Sequence, residues 1–406
     1  MSAAENMLIP AEAAVAATPA TPATDAAIDA AIDTAASTVA NSVATTAGLL
    51  AGRITVSAQW RGTADGGRLA AITCRVERPD LARLFAGLPP LAVAARLPRL
   101  YALCGEAQGA AARLALGLAG PEDLDPAPVV REMLREHAWR LFLDWPARAG
   151  AAPDRAGFAA LVRASATEPA CLPAALAARL GCSVGELPAL AWRAAEEGAS
   201  WGARVALPDS FAGHQLAWAA GVDRAWGGGF ALVTPATPAT PVADALAGRW
   251  RALLRAALAL AEADEMARAD SAFPAEASTL AWEAGFACPA PGVGQVNTAR
   301  GVLRHTARLG SRDNGEERVA GYRIDAPTEA LFAPAGPFAA TLAQARCASP
   351  AQARELAETL ALAFDPCVPL VWRIGAAPEA ADDGDWSDCT AGTGSDPSPA
   401  VENSHA

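Results

Sequence analysis

Lysine is absent from this chain, so arginine supplies all of the fixed positive charge. With 32 basic against 44 acidic residues the net charge is −12, which argues against a surface that tracks phosphates and against nucleic acid as a partner. The missing lysine accords with a GC-rich genome, because Ala, Arg, Gly and Pro dominate throughout. No C-x-x-C pair occurs, and the eight cysteines are too scattered for the disulfide framework of a small secreted domain. Reduced thiols in the cytoplasm are the simplest account. The N-terminus lacks the basic and compact apolar regions of a signal peptide, and no run of about 18 uncharged apolar residues is present to span a bilayer. These absences predict a soluble, cytoplasmic protein without membrane insertion. At 406 residues and 52% hydrophobic content, the chain can still bury a full core.

Residues 1–48 repeat Ala, Thr, Pro and Asp in units such as Thr18-Pro19-Ala20-Thr21-Pro22-Ala23. Large apolar groups are too few there to offset ordering entropy, which predicts a disordered tail. A second such tract, Thr234 to Pro241, reads as an extended connector between helical stretches. After Ile374 the chain turns acidic and Gly/Ser-rich, and residues 376–406 are assigned to a second disordered tail. Residues 49–375 form the predicted folded domain.

Within that domain, alternation at Ile54, Val56, Ala58 and Trp60, then Asp65-Gly66-Gly67, then Ile72, Cys74 and Val76 predicts a β-hairpin. A second hairpin is predicted through Val302–Leu309 and Val319–Ile324, around Asp313-Asn314-Gly315. Helical spacing governs much of the rest, as in Val130, Leu134, Ala138, Leu141 and Trp145, or Trp250, Leu254, Leu258 and Ala261. The last predicted helix opens on a Ser349-x-x-Gln352 capping box with Pro350 in its first turn, and buries Leu356, Leu360 and Phe364. Pro366 cannot continue it, so Cys367 is presented just past its end. Cys104 precedes a helix with Leu114 and Leu118 on its buried side, and a helix N-terminus is expected to lower its thiol pKa. The fold class is α+β, predominantly helical, with small hairpins near the N- and C-terminal parts.

Cys104-Gly105 and Asp365-Pro366-Cys367 each look like half of a metal-binding motif. Together with Thr298-Ala299-Arg300-Gly301-Val302-Leu303-Arg304-His305 and Ala326-Pro327-Thr328, they are collinear with four motifs of the nickel-iron hydrogenase large subunits: R-x-C-G-x-C-x-x-x-H, A-P-R-G-x-x-x-H, V-P-T/S and D-P-C-x-x-C-x-x-H. The second cysteine and the histidine of the first motif fall on Ala107 and Ala111, and those of the last on Leu370 and Arg373. The chain thus resembles the hydrogenase maturation proteins of the HupK/HoxV type, which look like degenerate large subunits.

That resemblance implies a large-subunit-like fold and a non-enzymatic scaffold that assembles the iron unit Fe(CN)2CO and transfers it to an apo large subunit. It implies Cys104 and Cys367 as metal ligands, Arg300 and Thr328 as donors to cyanide, and Pro327 as the wall beside Thr328. Val368 or Leu370 would furnish an apolar niche for carbon monoxide. The iron unit would bind transiently and no nickel is expected. Implied partners are a small hydrogenase-assembly chaperone, the cyanation-complex proteins and the apo large subunit. The family's E-G-H segment reads Ala51-Gly52-Arg53, which removes a proton-relaying carboxylate. Two other readings stay open: a metal-free large-subunit mimic that binds assembly chaperones, and a minimal two-thiolate redox protein. Cys74, Cys171, Cys182, Cys288 and Cys347 read as small buried residues, His137 as structural, His305 as packing or support for the site, and Glu106 and Gln108 as solvated residues of a helix start.

Overall fold

Alternating apolar residues in the first hairpin need a face to bury, and two strands alone offer little. The computed structural model describes residues 52–63, 66–192, 215, 218–219, 241–269, 279–311 and 315–376. The tail of residues 1–48, most of the C-terminal tail, residues 234–240 of the connector and the turn residues Asp65, Asp313 and Asn314 lie outside them. Strands β1 (Arg53–Thr63) and β2 (Gly66–Glu77) are antiparallel, with Ile54 opposite Val76 and Val56 opposite Cys74. A bulge sets Ala71 and Ile72 against Ala58, with Ala71 at φ 49°, which shifts the phase so that Leu69 is buried and Ile72 only half-buried.

The hairpin is completed by the other end of the chain. Strand β8 (Leu370–Ala376) runs parallel to β1, and the two-residue β7 (Arg346–Cys347) borders β2, giving the order β7-β2-β1-β8. Ala376, expected to open the tail, pairs with Trp60. Parallel pairing needs a long crossover, and here that crossover is almost the whole folded domain. The second hairpin belongs to a four-stranded meander, β3 (Ala287–Ala290), β4 (Val293–Thr298), β5 (Gly301–Ser311) and β6 (Glu317–Asp325), of which β3 and β4 were not expected.

The described helices are α1 (Pro90–Leu100), α2 (Gly105–Ala115), α3 (Ala127–Trp139), α4 (Arg155–Thr167), α5 (Leu172–Leu180), α6 (Leu187–Trp192), α7 (Pro241–Arg268), α8 (Thr279–Ala284), α9 (Pro327–Leu331), α10 (Pro337–Gln344) and α11 (Pro350–Phe364). The protein is therefore α+β. Helix α2 ends at Ala115, so Leu118 lies beyond it and is half-buried, while Leu114 is buried. Its alanines let it approach β4 closely: a side chain at Gly294 would run into the Ala111 carbonyl. Helix α3 continues through a π turn at Arg140–Asp144 into Trp145, and all five residues of the expected stripe are buried. Helix α7 packs on α3 and α11, burying Trp250, Leu254 and Ala261, with Leu258 half-buried. At the start of α11, Ser349 Oγ accepts from the Gln352 N–H, but the Gln352 side chain takes the N–H of Ala348 rather than that of Ser349.

Helix α11 ends on Asp365 in the left-handed conformation (φ 51°, ψ 65°), and that buried carboxylate gathers three arginines. Arg140 Nε lies 2.6 Å from Oδ1, while Arg249 Nη2 and Arg300 Nε lie 2.9 and 3.4 Å from Oδ2. Arg300 Nε also donates to the Asp365 carbonyl at 3.0 Å, and Arg300 Nη2 to Glu136 Oε2 at 2.9 Å. Burial opposes ionisation of Asp365, but Arg249, Arg140 and Arg300 outweigh it and hold the carboxyl well below the usual carboxylate range. Among the described residues, no single helix is long and apolar enough to cross a membrane.

Two outcomes follow from this frame. Asp365→Ala leaves three arginines facing a buried hole, so chemical denaturation should show a loss of about 3–5 kcal/mol. A chain cut after Ala376 and lacking residues 1–48 should melt within about 3 °C of the full chain, whereas a cut after Pro369, which removes β8, should lower the transition by several times that. Differential scanning calorimetry reads both truncations.

Candidate functional site

The β1–β8 pairing carries the C-terminal motif to the end of β2. Ile54 N–H donates to the Pro369 carbonyl at 2.9 Å, which sets Cys367, two residues earlier in the chain, beside Arg78. Arg78 precedes Pro79, which biases its backbone toward the extended region and so holds it in line with β2. Gly52, at φ 78°, is close-packed on the same corner: a Cβ there would sit 2.6 Å from the Glu77 carbonyl and 2.7 Å from Arg78 Cγ.

The Cys367 sulfur has two partners. Arg78 Nη2 approaches it to 2.6 Å and Thr328 Oγ1 to 3.1 Å, and the Cys367 N–H donates to Thr328 Oγ1 at 3.3 Å. Pro327 at the first turn of α9 fixes the backbone on which Thr328 is buried. Cys104 sits at the N-cap of α2, half-buried, with its sulfur accepting from Gln108 Nε2 at 3.6 Å. The two thiols share one electrostatic neighbourhood. Burial pushes Cys104 up to about 12, the neighbouring Cys367 adds to this, and the Gln108 hydrogen bond and Arg300 oppose it.

Cys104 was expected to gain from the helix N-terminus, and the structure reverses that expectation. The N–H groups of Glu106 and Ala107 are taken by Glu132 of α3, at 2.9 and 3.2 Å, so a carboxylate rather than the thiol caps α2. Glu132 itself further disfavours the Cys104 thiolate. Burial raises the Glu132 carboxyl to about 7, against the lowering effect of the two N–H groups.

Arg300 is nearly fully buried and near both thiols, but its Nε and Nη2 are engaged by Asp365 and Glu136. Arg78 is the guanidinium that reaches a sulfur. Ala107 and Ala111, where the large-subunit motif has a cysteine and a histidine, are buried without exposure, and Leu370 opens β8 opposite Ile54. Arg373 is exposed on β8, so the position of the motif's last histidine is turned to solvent. Gln108, expected to be solvated, is buried and bridges Cys104 to His305. Glu106 is exposed, as expected. His137 is buried in α3 without a hydrogen-bond partner at Nδ1, and burial, with Arg249 adding, lowers its pKa to about 3. Cys74 and Cys347 are buried, but Cys171 and Cys288 are exposed and Cys182 half-buried, which corrects their reading as core residues. Among the described residues, no three His, Cys, Asp or Glu side chains are grouped to hold a metal ion.

Glu132 has a pH signature. A carboxyl near 7 in the fold and near 4.5 when unfolded favours the folded state fully below the lower value, and this contribution is lost as pH rises through the higher one. Unfolding measured from pH 4 to 8 should show the wild-type chain losing up to roughly 3 kcal/mol relative to Glu132→Gln, at about 1.4 kcal/mol per pH unit between the two values.

No family model matches the chain. Curated proteins do. The chain is 29% identical over 352 residues to the hydrogenase expression/formation protein HoxV of Cupriavidus necator, covering 72% of this chain and 90% of that protein. It is 48% identical over 90 residues to the hydrogenase expression/formation protein HupK of Rhodobacter capsulatus, covering 22% of this chain and 29% of that one. The HupK of Rhizobium leguminosarum bv. viciae is 40% identical over 102 residues, 24% of this chain and 26% of its own length. The matches to the two HupK proteins thus span less than a third of each. The curated homologues of this chain are hydrogenase expression/formation proteins of the HupK and HoxV kind.

Proposed function

We propose that the chain is a non-catalytic scaffold in hydrogenase maturation, which receives Fe(CN)2CO as transient cargo and hands it to an apo large subunit whose fold it shares. The observation that carries this reading is the Cys367 sulfur, set between Arg78 and Thr328 with Cys104 in the same electrostatic neighbourhood. Soft thiolates suit an iron carrying cyanide and carbon monoxide. Cyanide nitrogens accept hydrogen bonds, and Thr328 and the guanidinium of Arg78 are donors beside one sulfur, with Arg300 adding positive charge. Buried Val368 supplies an apolar wall. Burial disfavours a free thiolate at Cys104, but a bound cation would displace the proton as it ligates. Two sulfurs hold such a fragment more weakly than the four of a large subunit, which gives the transfer its direction. The proposed partners are a small assembly chaperone, the cyanation-complex proteins and the recipient subunit, all in the cytoplasm.

A metal-free mimic that binds assembly chaperones is the second reading, favoured by one observation: both sulfurs already have hydrogen-bond partners within the chain. Infrared spectroscopy of the protein from a host with an intact maturation pathway separates the two. The scaffold should show cyanide and carbonyl bands, with little nickel by elemental analysis. Cys367→Ser should abolish the bands and leave the recipient subunit iron-poor, while chaperone binding persists. Arg78→Ala should weaken loading by about 1.5–3 kcal/mol, the worth of one charged hydrogen bond. Normal hydrogenase maturation with Cys367→Ser would make the mimic the better account.

A further inference from the structure

Behind Cys104 lies a run of hydrogen bonds that the cysteine motifs do not account for. Tyr322 on β6 places its hydroxyl 2.7 Å from His305 Nδ1, His305 Nε2 lies 2.8 Å from Gln108 Oε1, and Gln108 Nε2 donates to the Cys104 sulfur at 3.6 Å. His305 and Gln108 are almost wholly buried. Burial lowers His305 to about 3 and pushes Tyr322 well above the ordinary phenol range, so the imidazole is neutral and the phenol keeps its proton.

A neutral imidazole has one N–H, so the orientation of the Gln108 amide, with Oε1 toward His305 and Nε2 toward the sulfur, sets the sense of every link. Gln108 Oε1 can only accept, so the proton sits on Nε2. Nδ1 is then an acceptor, and the Tyr322 hydroxyl donates to it. In this arrangement His305 donates to the Gln108 carbonyl, and the Gln108 NH2 group faces the sulfur.

We infer that Tyr322, His305 and Gln108 are positioning residues, a one-way chain of donors that presents an N–H to the Cys104 sulfur and denies it an acceptor. A thiolate that accepts an N–H hydrogen bond gives less electron density to a metal. The chain therefore makes Cys104 a softened, readily exchanged ligand. This last step rests on the proposed scaffold function, whereas the direction of the chain does not.

The direction is read in metal-free protein from the S–H stretching band of Cys104, isolated as the difference between the wild-type chain and Cys104→Ser. The wild-type band should lie at the position of a thiol that does not donate. Gln108→Glu puts an acceptor oxygen where the NH2 group was and should move the band to lower frequency. Tyr322→Phe releases the imidazole from its fixed tautomer and should add a lower-frequency component to the wild-type band. A wild-type band already at the donating position overturns the proposal, because the chain would then run from the sulfur to Tyr322. Bands unchanged in a folded Gln108→Glu protein overturn it equally, and that variant decides the matter if Tyr322→Phe does not fold. In iron-loaded protein, Gln108→Leu should shift the carbonyl band to lower frequency as the sulfur becomes a stronger donor, and no shift would refute the softening. Absence of carbonyl and cyanide bands from every sample would count against the scaffold function and leave the S–H result standing.

Discussion

The carboxylate of Asp365 is where the separate parts of this protein meet. Arg140 comes from the π turn after α3, Arg249 from α7 and Arg300 from the turn between β4 and β5, while Asp365 itself ends α11. Burying four charges has a desolvation cost that their attraction barely offsets, so such a cluster adds little net stability. What it adds is position. An apolar contact between these elements could slide by a residue, but three guanidinium groups on one carboxylate have few alternative arrangements. Cys367 follows two residues later, and its sulfur is placed by that cluster on one side and by the β1–β8 pairing on the other.

Electrostatics near the two thiols is decided by burial rather than by helix polarity. A helix N-terminus offers partial positive charge, but Glu132 takes the N–H groups of α2 that would have supplied it. Cys104 is left in a partly apolar site beside another thiol and a carboxyl, and its proton is held tightly. Cys367 is treated differently, with a guanidinium and a hydroxyl in contact with its sulfur. The two cysteines are therefore chemically unequal, a distinction invisible in motifs that spell each of them as a single C.

Local chemistry explains which parts of this arrangement were legible in the sequence. Period and punctuation marked both hairpins, the buried stripes of α3 and α7, and the end of α11, because each depends on residues a few positions apart. Strand β8 was missed because seven residues at the edge of an acidic tail carry no period, and its partner β1 lies at the other end of the fold. Strands β3 and β4 are short and only partly buried, with the same result. Arg78, Glu132, Arg140 and Arg249 act through contacts that no spacing announces. Gln108 was misjudged because a polar residue in the first turn of a helix usually faces water, whereas here that face packs against β4 and β5. The one available signal was His305, a histidine within an otherwise alternating strand, which needed a buried polar partner.

Both sulfurs have hydrogen-bond partners supplied by the chain itself, and this bears on how tightly anything else can bind. A fragment that ligates Cys367 through the face now met by Thr328 and Arg78 must exchange those contacts for its own, so the gain is a difference between two sets of bonds rather than the full worth of one. The frame around the site does not share this balance, because the Asp365 cluster is held by its own ion pairs to Arg140, Arg249 and Arg300 and not by the sulfurs. On the proposed function, loading and release would leave that frame in place. A site built in this way would suit the reversible ligation that the proposed function requires, since the arginine cluster does not depend on what the two cysteines hold.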